Sequence, residues 1–338
     1  MIPEFPVVPW KKEIKMRSIE RAYSGYSGRR WQWIVVFAVL LTATVLIYRH
    51  MNSDASSFSY GSVYTPRGVV LEHVVFNGLD ADFFHGNSAG PQKALVLLGG
   101  SDGGRYWSYQ PAFIHDLIDQ GFCVLSLPYF GTGKLPANLR AIPLEYFYKA
   151  FNWLSLQKGR VKPKEYGLVG VSRGAGLALL LAGRDPDVKA VVAIAPASVV
   201  FPGPPTGIFD IFGGEHSAWS ENGKELSFVP IPYNWSTLTG MISGRRTKMF
   251  ENALHDTGRV KAATIPVGKI QGPVLLVSYT RDQIWPSTLM SGQIMGQFRN
   301  NNFRFHYEHK AYVGGHSEWS KEPCRTNILT FLKTQFGN

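Results

Sequence analysis

Cysteine is scarce in this 338-residue chain: Cys123 and Cys324 are the only two. So few exclude a disulfide scaffold and a cysteine-based zinc site. A single Cys123–Cys324 bridge stays open on sequence grounds, although Cys123 lies in the apolar run FCVLSL and reads as a small buried hydrophobe. Metal-ligand spacing is absent as well. There is no H-E-x-x-H and no His/Asp/Glu cluster, so neither a metal nor a cofactor is expected. Neither G-K-[ST] nor G-x-G-x-x-G occurs, which removes the usual phosphate cradles. Charged residues make up 17% of the chain, and no basic run is interleaved with aromatics. With no RNP, finger or helix-turn-helix signature, nucleic acid is not an expected partner. Long apolar runs are also missing, with one exception near the N-terminus.

What is present is core-forming material. Hydrophobic residues account for 45% and aromatics for 13%, too rich for disorder and long enough for one large domain with insertions. The net charge is +11, spread along the chain, and residues 1–50 carry eight Lys/Arg against three Asp/Glu.

The exceptional run is Trp31 to Tyr48, WQWIVVFAVLLTATVLIY, 18 residues without a charge. At about 1.5 Å per residue it spans about 27 Å, close to the hydrocarbon thickness of a bilayer. Trp31, Trp33 and Tyr48 bracket it as interfacial aromatics do. Arg29 and Arg30 abut its start with five more bases upstream, against Arg49 alone downstream. The bias predicts a signal anchor with residues 1–30 cytoplasmic and the rest of the chain extracytoplasmic, in a periplasm or lumen. A cleaved signal peptide would want a shorter run and a small-x-small site, for which Asp54-Ala55-Ser56-Ser57 is a weak candidate. Residues 49–66 read as a small, polar linker.

From residue 67 to 338 short apolar runs alternate with helical patterns. Strands are expected at Val69–Phe76 and Asp82–His85 (a hairpin turning on Asn77-Gly78), Ala94–Leu98, Phe122–Leu127, Tyr166–Val171, Val188–Ile194, Gly272–Val277 and Phe303–Glu308. Helices are expected at Phe113–Asp119, Leu144–Leu156, Gly174–Ala182, Ser287–Met295 and Pro323–Phe336. Continuous Val/Ile/Leu runs separated by helices predict an α/β fold, a mostly parallel sheet covered on both faces. Residues 199–268, rich in Gly, Pro, Trp and Tyr, break the rhythm. A structureless loop of that length is improbable in a compact domain, so they are expected to be a cap insertion.

Gly170-Val171-Ser172-Arg173-Gly174 matches G-x-S-x-G, and it follows a buried run and opens a small-residue helix. A sharp strand-to-helix turn needs glycines for steric reasons, projects the serine Oγ, and aims the next N–H, that of Arg173, at a developing oxyanion. A glycine-rich packing turn with a serine N-cap is the bland reading. A serine nucleophile needs a base and an orienting carboxylate, here in the order nucleophile, acid, histidine. Asp282 stands after the run GPVLLV, and His316 follows the paired glycines Gly314-Gly315. Asp256 and Glu318 are fallback acids. His306 and His309 read as structural, and His216 and His255 lie in the insertion. The loop Gly99-Gly100-Ser101-Asp102-Gly103-Gly104 follows an early strand, where a second oxyanion donor is required; Gly100 or Ser101 is the candidate. Trp219, Phe228, Tyr233 and Trp235 in the insertion are candidates for an apolar acyl pocket, or else form the cap's own core.

Residues from about 67 to 335 resemble the C-terminal catalytic domain of the acyl-CoA thioesterase and bile acid-CoA:amino acid N-acyltransferase family, within the dienelactone-hydrolase-like branch of α/β hydrolases. The likeness is carried by LLGGSDGGRYWSYQPAFIHDLIDQGFCVLSLPYFG, Pro143–Leu156, VGVSRGAGLALLLA, Ser217-Ala218-Trp219 with Gly223-Lys224 and Val229-Pro230, GPVLLVSYTRDQIWPS and GGHSEW. The resemblance implies an α/β-hydrolase fold and an acyl-enzyme on the elbow residue. The N-acyltransferases are similar to one another in using cysteine there, so Ser172 implies hydrolysis. The resemblance also implies an N-terminal β-sandwich domain, for which only residues 51–66 are left between the apolar run and the hydrolase start. The expectation is a membrane-anchored serine hydrolase of small-molecule acyl esters or thioesters, with coenzyme A as carrier left open outside the cytoplasm. Acyl transfer to an amine or alcohol, and a non-catalytic membrane-tethered binding module, are the alternatives.

Overall fold

The computed structural model describes residues 63–205, 214–232, 246–316 and 318–337, with Val35, Thr42, Thr239 and Ser243 as single positions. The chain divides into two units, 1–54 and 55–338, and all the strands and helices named below lie in the second. The expected anchor at 31–48 lies outside the described residues apart from Val35 and Thr42. Among the described residues no helix is long and apolar enough to cross a membrane.

Unit 55–338 is built on an eight-stranded sheet. Its strands are β1 (Val70–Phe76), β2 (Leu79–His85), β3 (Gln92–Leu98), β4 (Cys123–Ser126), β6 (Val161–Val171), β7 (Val188–Ile194), β10 (Val274–Tyr279) and β11 (Tyr307–Tyr312). Their spatial order is β1-β2-β4-β3-β6-β7-β10-β11. Only the β1/β2 and β2/β4 pairs are antiparallel. The β1–β2 turn is made by Asn77 and Gly78, both with positive φ (47° and 81°), as a tight hairpin demands. β3 has β4 on one side and β6 on the other, so the chain reverses its direction of travel across the sheet there. In such sheets ligands bind beyond the carboxyl ends of the strands flanking that reversal.

Both faces of the central strands are apolar. Along β3, Ala94, Val96 and Leu98 belong to one core, while Leu95 and Leu97 belong to the other. The first core is covered by α2 (Leu144–Leu156), α3 (Arg173–Ala182) and α6 (Ser287–Asn300). The second is covered by α1 (Pro111–Asp119) and α7 (Cys324–Phe331). That two-sided burial explains why these strands read as unbroken Val/Ile/Leu runs. Cys123 and Cys324 are both buried and free, so no bridge joins them.

Three expected elements differ. The closing strand is Tyr307–Tyr312, not Phe303–Glu308. The rings of Phe303, ahead of the strand, and Tyr307, its first residue, lie 4.5 and 5.0 Å from that of Phe298 on α6, so the aromatic spacing before the strand reports packing under a helix. The strand itself is an edge of half-buried polar residues, which leaves no apolar run to read. The final helix is α-helical only to Phe331 and continues as a π-helical turn over Leu332–Phe336. Within 199–268 the described residues form β8 (Trp219–Glu221) and β9 (Lys224–Glu225), then α4 (Thr247–Ala253) and α5 (Thr257–Ala263). β8 pairs in parallel with the short β5 (Ile142–Pro143), so the segment is stitched to the main domain just before α2. Its far end is tied back by the N–H of Val200 to the carbonyl of Ala263 and that of Ile265 to Ser198.

Candidate active site

Ser172 sits between β6 and α3 with φ 57° and ψ −119°. A non-glycine residue there is strained by about 1–3 kcal/mol and persists only where its surroundings over-determine it. Here its N–H donates to the Ile194 carbonyl at 2.8 Å, and its carbonyl accepts from Ala175 at 3.0 Å. The flanking glycines are sterically required. A Cβ on Gly170 would stand 2.1 Å from the Gly174 carbonyl oxygen, and one on Gly174 would stand 2.3 Å from the carbonyl oxygens of Leu98 and Gly99.

Asp282 follows β10 and His316 follows β11. These two loops are zipped together by N–H groups of Thr280 and Arg281 donating to the carbonyls of Tyr312 and Gly314. The His316 Nδ1 lies 2.8 Å from Asp282 Oδ2, and its Nε2 lies 2.8 Å from Ser172 Oγ. A carboxylate only accepts, so the ring proton sits on Nδ1 and Nε2 accepts from the serine hydroxyl. The other carboxylate oxygen, Oδ1, accepts from the N–H groups of Ile284 (2.9 Å) and Trp285 (3.3 Å). The Asp282 side chain is 3% exposed and that of His316 is 11% exposed, so the pair lies in a low dielectric with a narrow opening to solvent. The fallback acids lie elsewhere. Asp256 caps α5 by accepting from the N–H of Arg259, and Glu318 pairs with Lys321, whose hydrogen bond lowers its pKa.

The loop after β3 reaches the same place. A Cβ on Gly100 would stand 3.1 Å from the Ser172 Cβ, which puts the Gly100 backbone against the serine. Gly103 and Gly104 both take positive φ, and the Gly104 N–H donates to the Phe130 carbonyl at 2.9 Å. Arg105 closes the loop by pairing with Asp80 and Asp82 on β2. Ser101 lies in the same turn, and Arg173 opens α3 directly beside Ser172.

Four aromatics of the site escaped the sequence reading. Trp285 stands edge-on to the His316 ring at 5.6 Å and donates its indole N–H to the Ala195 carbonyl. The Arg173 guanidinium lies over Trp285 at 5.2 Å and near Phe201 at 5.9 Å. Phe250 packs on both, at 5.7 and 5.0 Å. Tyr129 donates its hydroxyl to the Gly99 carbonyl at 2.6 Å. Of these, Trp285, three residues after the acid, and Tyr129, in the Pro-Tyr after the run FCVLSL, lie in stretches that carry the family likeness, which gave neither of them a role. Of the expected pocket residues, Trp219 is 4% exposed and packs on Tyr129 and Phe147 (5.5 and 6.2 Å). Phe228 rests half-buried on the same core, and Tyr233 and Trp235 lie outside the described residues. Among the described residues no group of three or more His, Cys, Asp or Glu is placed to hold a metal.

Residues 142–317, just over half of the chain, match the family model described as BAAT / acyl-CoA thioester hydrolase C terminal. Among curated proteins, human mitochondrial acyl-coenzyme A thioesterase 2 is 32% identical over 131 residues, 39% of this chain and 26% of that protein. Rat acyl-coenzyme A amino acid N-acyltransferase 2 is 28% identical over 234 residues, 69% of this chain and 51% of that protein. The chain thus spans about half or less of these relatives. Among solved structures, a puromycin-hydrolysing peptidase of Mycobacterium tuberculosis superposes with a TM-score of 0.55 at 14% identity, covering 83% of this chain and 40% of that one. An esterase of Pyrococcus furiosus gives 0.51 at 17% identity, covering 82% and 99%. At such identities the likeness is one of fold, the α/β-hydrolase fold. The matched model, the curated relatives and this fold agree, and the chain belongs to the family of acyl-CoA thioester hydrolases and bile acid-CoA:amino acid N-acyltransferases, of which it carries the C-terminal hydrolase-like domain.

Proposed function

We propose that the chain is a membrane-anchored serine hydrolase that cleaves acyl thioesters or carboxylic esters through an acyl-enzyme. The observation that carries the reading is the unbroken pair of 2.8 Å contacts from Ser172 through His316 to Asp282. Ser172 Oγ attacks the acyl carbonyl while His316 Nε2 takes its proton. Asp282 holds the imidazole in the required tautomer and stabilises the imidazolium. The N–H of Arg173 and one N–H of the Gly100–Ser101 stretch receive the oxyanion, each worth about 2.7–4 kcal/mol of transition-state stabilisation. His316 then hands the proton to the departing thiol or alcohol. Water, activated by the same imidazole, releases the acid and frees Ser172. The apolar run at 31–48 supplies the anchor, with the hydrolase on the extracytoplasmic side.

The test is turnover of a panel of acyl-CoA thioesters and p-nitrophenyl acyl esters by the wild type and Ser172→Ala, with and without an added amine acceptor. The reading expects free acid as the product and a loss of at least about 10³-fold in the variant. Amide product in the presence of the amine would replace hydrolysis by acyl transfer. A Ser172→Ala rate equal to wild type would remove the nucleophile.

A further inference from the structure

We propose that Tyr129 is the residue that positions the second oxyanion donor, by holding the Gly99 carbonyl and so fixing the direction of the Gly100 N–H and, through it, the setting of the next peptide, which carries the Ser101 N–H. The inference rests on the serine-hydrolase reading above.

Tyr129 lies in the turn after β4 and is 2% exposed. Its hydroxyl donates to the Gly99 carbonyl at 2.6 Å and lies 3.4 Å from the Gly100 carbonyl. A trans peptide is planar, with C=O and N–H pointing in opposite directions. A Gly99 carbonyl held at Tyr129 therefore sends the Gly100 N–H to the other side of that plane. The same relation couples the Gly100 carbonyl to the Ser101 N–H. These peptides adjoin the nucleophile, because a Cβ on Gly100 would stand 3.1 Å from that of Ser172. Two successive glycines have little intrinsic preference to keep a peptide plane from turning over. The phenol is the restraint, and its ring is itself held among Phe130, Phe147 and Trp219 at 5.3, 5.6 and 5.5 Å. Burial, reinforced by Asp102 and opposed by Arg173, pushes the Tyr129 pKa upward, so the hydroxyl keeps the proton it donates. Trp219, expected from sequence to line an acyl pocket, braces this tyrosine from the side of the insertion.

The experiment follows the rate of fluorophosphonate labelling of the full chain as a function of pH. It compares wild type, Tyr129→Phe, Phe147→Leu and Ser172→Ala, with thermal midpoints recorded in parallel. The phosphonyl oxygen occupies the oxyanion position, so labelling reads that pocket without a known substrate. Tyr129→Phe is expected to lower the rate plateau by about 10- to 100-fold and to leave the pH of half-maximal rate in place. Phe147→Leu, which loosens the same packing but keeps the hydroxyl, is expected to lower the thermal midpoint and to stay within about three-fold of the wild-type rate. A Tyr129→Phe rate at the wild-type level would overturn the proposal. So would an equal loss in Phe147→Leu, or a Tyr129→Phe profile displaced along the pH axis with its plateau intact. Ser172→Ala labelled as fast as wild type would instead overturn the serine-hydrolase reading beneath it.

Discussion

Ser172 takes a backbone conformation that only a crowded turn can enforce, and the crowding is made by absent side chains. Gly170, Gly174 and Gly100 each leave a volume that a neighbour fills. Gly170 and Gly174 face backbone, where nothing can yield. Gly100 faces the Ser172 side chain at a distance where a shift of a few tenths of an ångström suffices. Gly100→Ala is therefore expected to fold, with a stability loss of about 1 kcal/mol, and to lose about ten-fold or more in turnover because the nucleophile is displaced. Thermal unfolding beside ester hydrolysis checks this, and a fully active variant would show that the contact is slack. At this scale the sequence was informative wherever chemistry demands a motif. G-x-S-x-G, the post-strand aspartate and the Gly-Gly-His loop stand in the chain order, and at the strand ends, that the proposed reaction would need. Tyr129 stands in the Pro-Tyr pair of the stretch that carries the family likeness, but nothing there marks its role, and Phe201 and Phe250 carry no mark at all. Their contribution is a direction in space, a carbonyl held or a ring turned toward Arg173, which no local pattern encodes.

Between elements, β10 and β11 deliver Asp282 and His316, and their pairing is stitched by side chains as well as backbone. His309 on β11 reaches Ser278 on β10, its Nε2 2.8 Å from the hydroxyl, which also contacts Thr288 on α6. Burial holds the His309 pKa below its ordinary value. The unfolded chain therefore binds this proton more readily than the folded one. The stability is complete above about pH 6.5 and is lost as pH falls from there toward the lowered folded value. His309→Gln, which keeps a hydrogen-bonding side chain, is expected to lose less of its thermal midpoint than wild type between about pH 6.5 and 5. Parallel slopes for the two proteins would contradict that. The same strand shows why the end of the domain was hard to read. Central strands, apolar on both faces, announce themselves as Val/Ile/Leu runs, whereas β11 is a polar edge preceded by aromatics that pack under α6. Pairing of β8 with the two-residue β5 was likewise invisible, since two residues hold no periodicity.

In the whole molecule the proposed anchor and the hydrolase have separable duties. Within unit 55–338 the described core is closed on both sheet faces by that unit's own helices. Deleting residues 1–50 is expected to leave ester hydrolysis within about two-fold of the full chain, while moving the protein from the detergent-extractable membrane fraction to the buffer-soluble one. Fractionation followed by activity assay checks both halves, and a full chain already soluble without detergent would contradict the anchor. The fold class and the place along the chain of nearly every strand of the main sheet were legible in advance because a two-faced parallel sheet imposes a strong apolar rhythm, whereas the order of the strands across the sheet was not. The insertion was legible only as a break in that rhythm. Everything proposed about chemistry depends on a covalent adduct forming at one hydroxyl. The most direct measurement is mass-spectrometric mapping of the site modified by a fluorophosphonate. The account predicts a single phosphonyl group on the peptide containing Ser172, abolished in His316→Ala. Modification at another residue, or none on the folded protein, would contradict it.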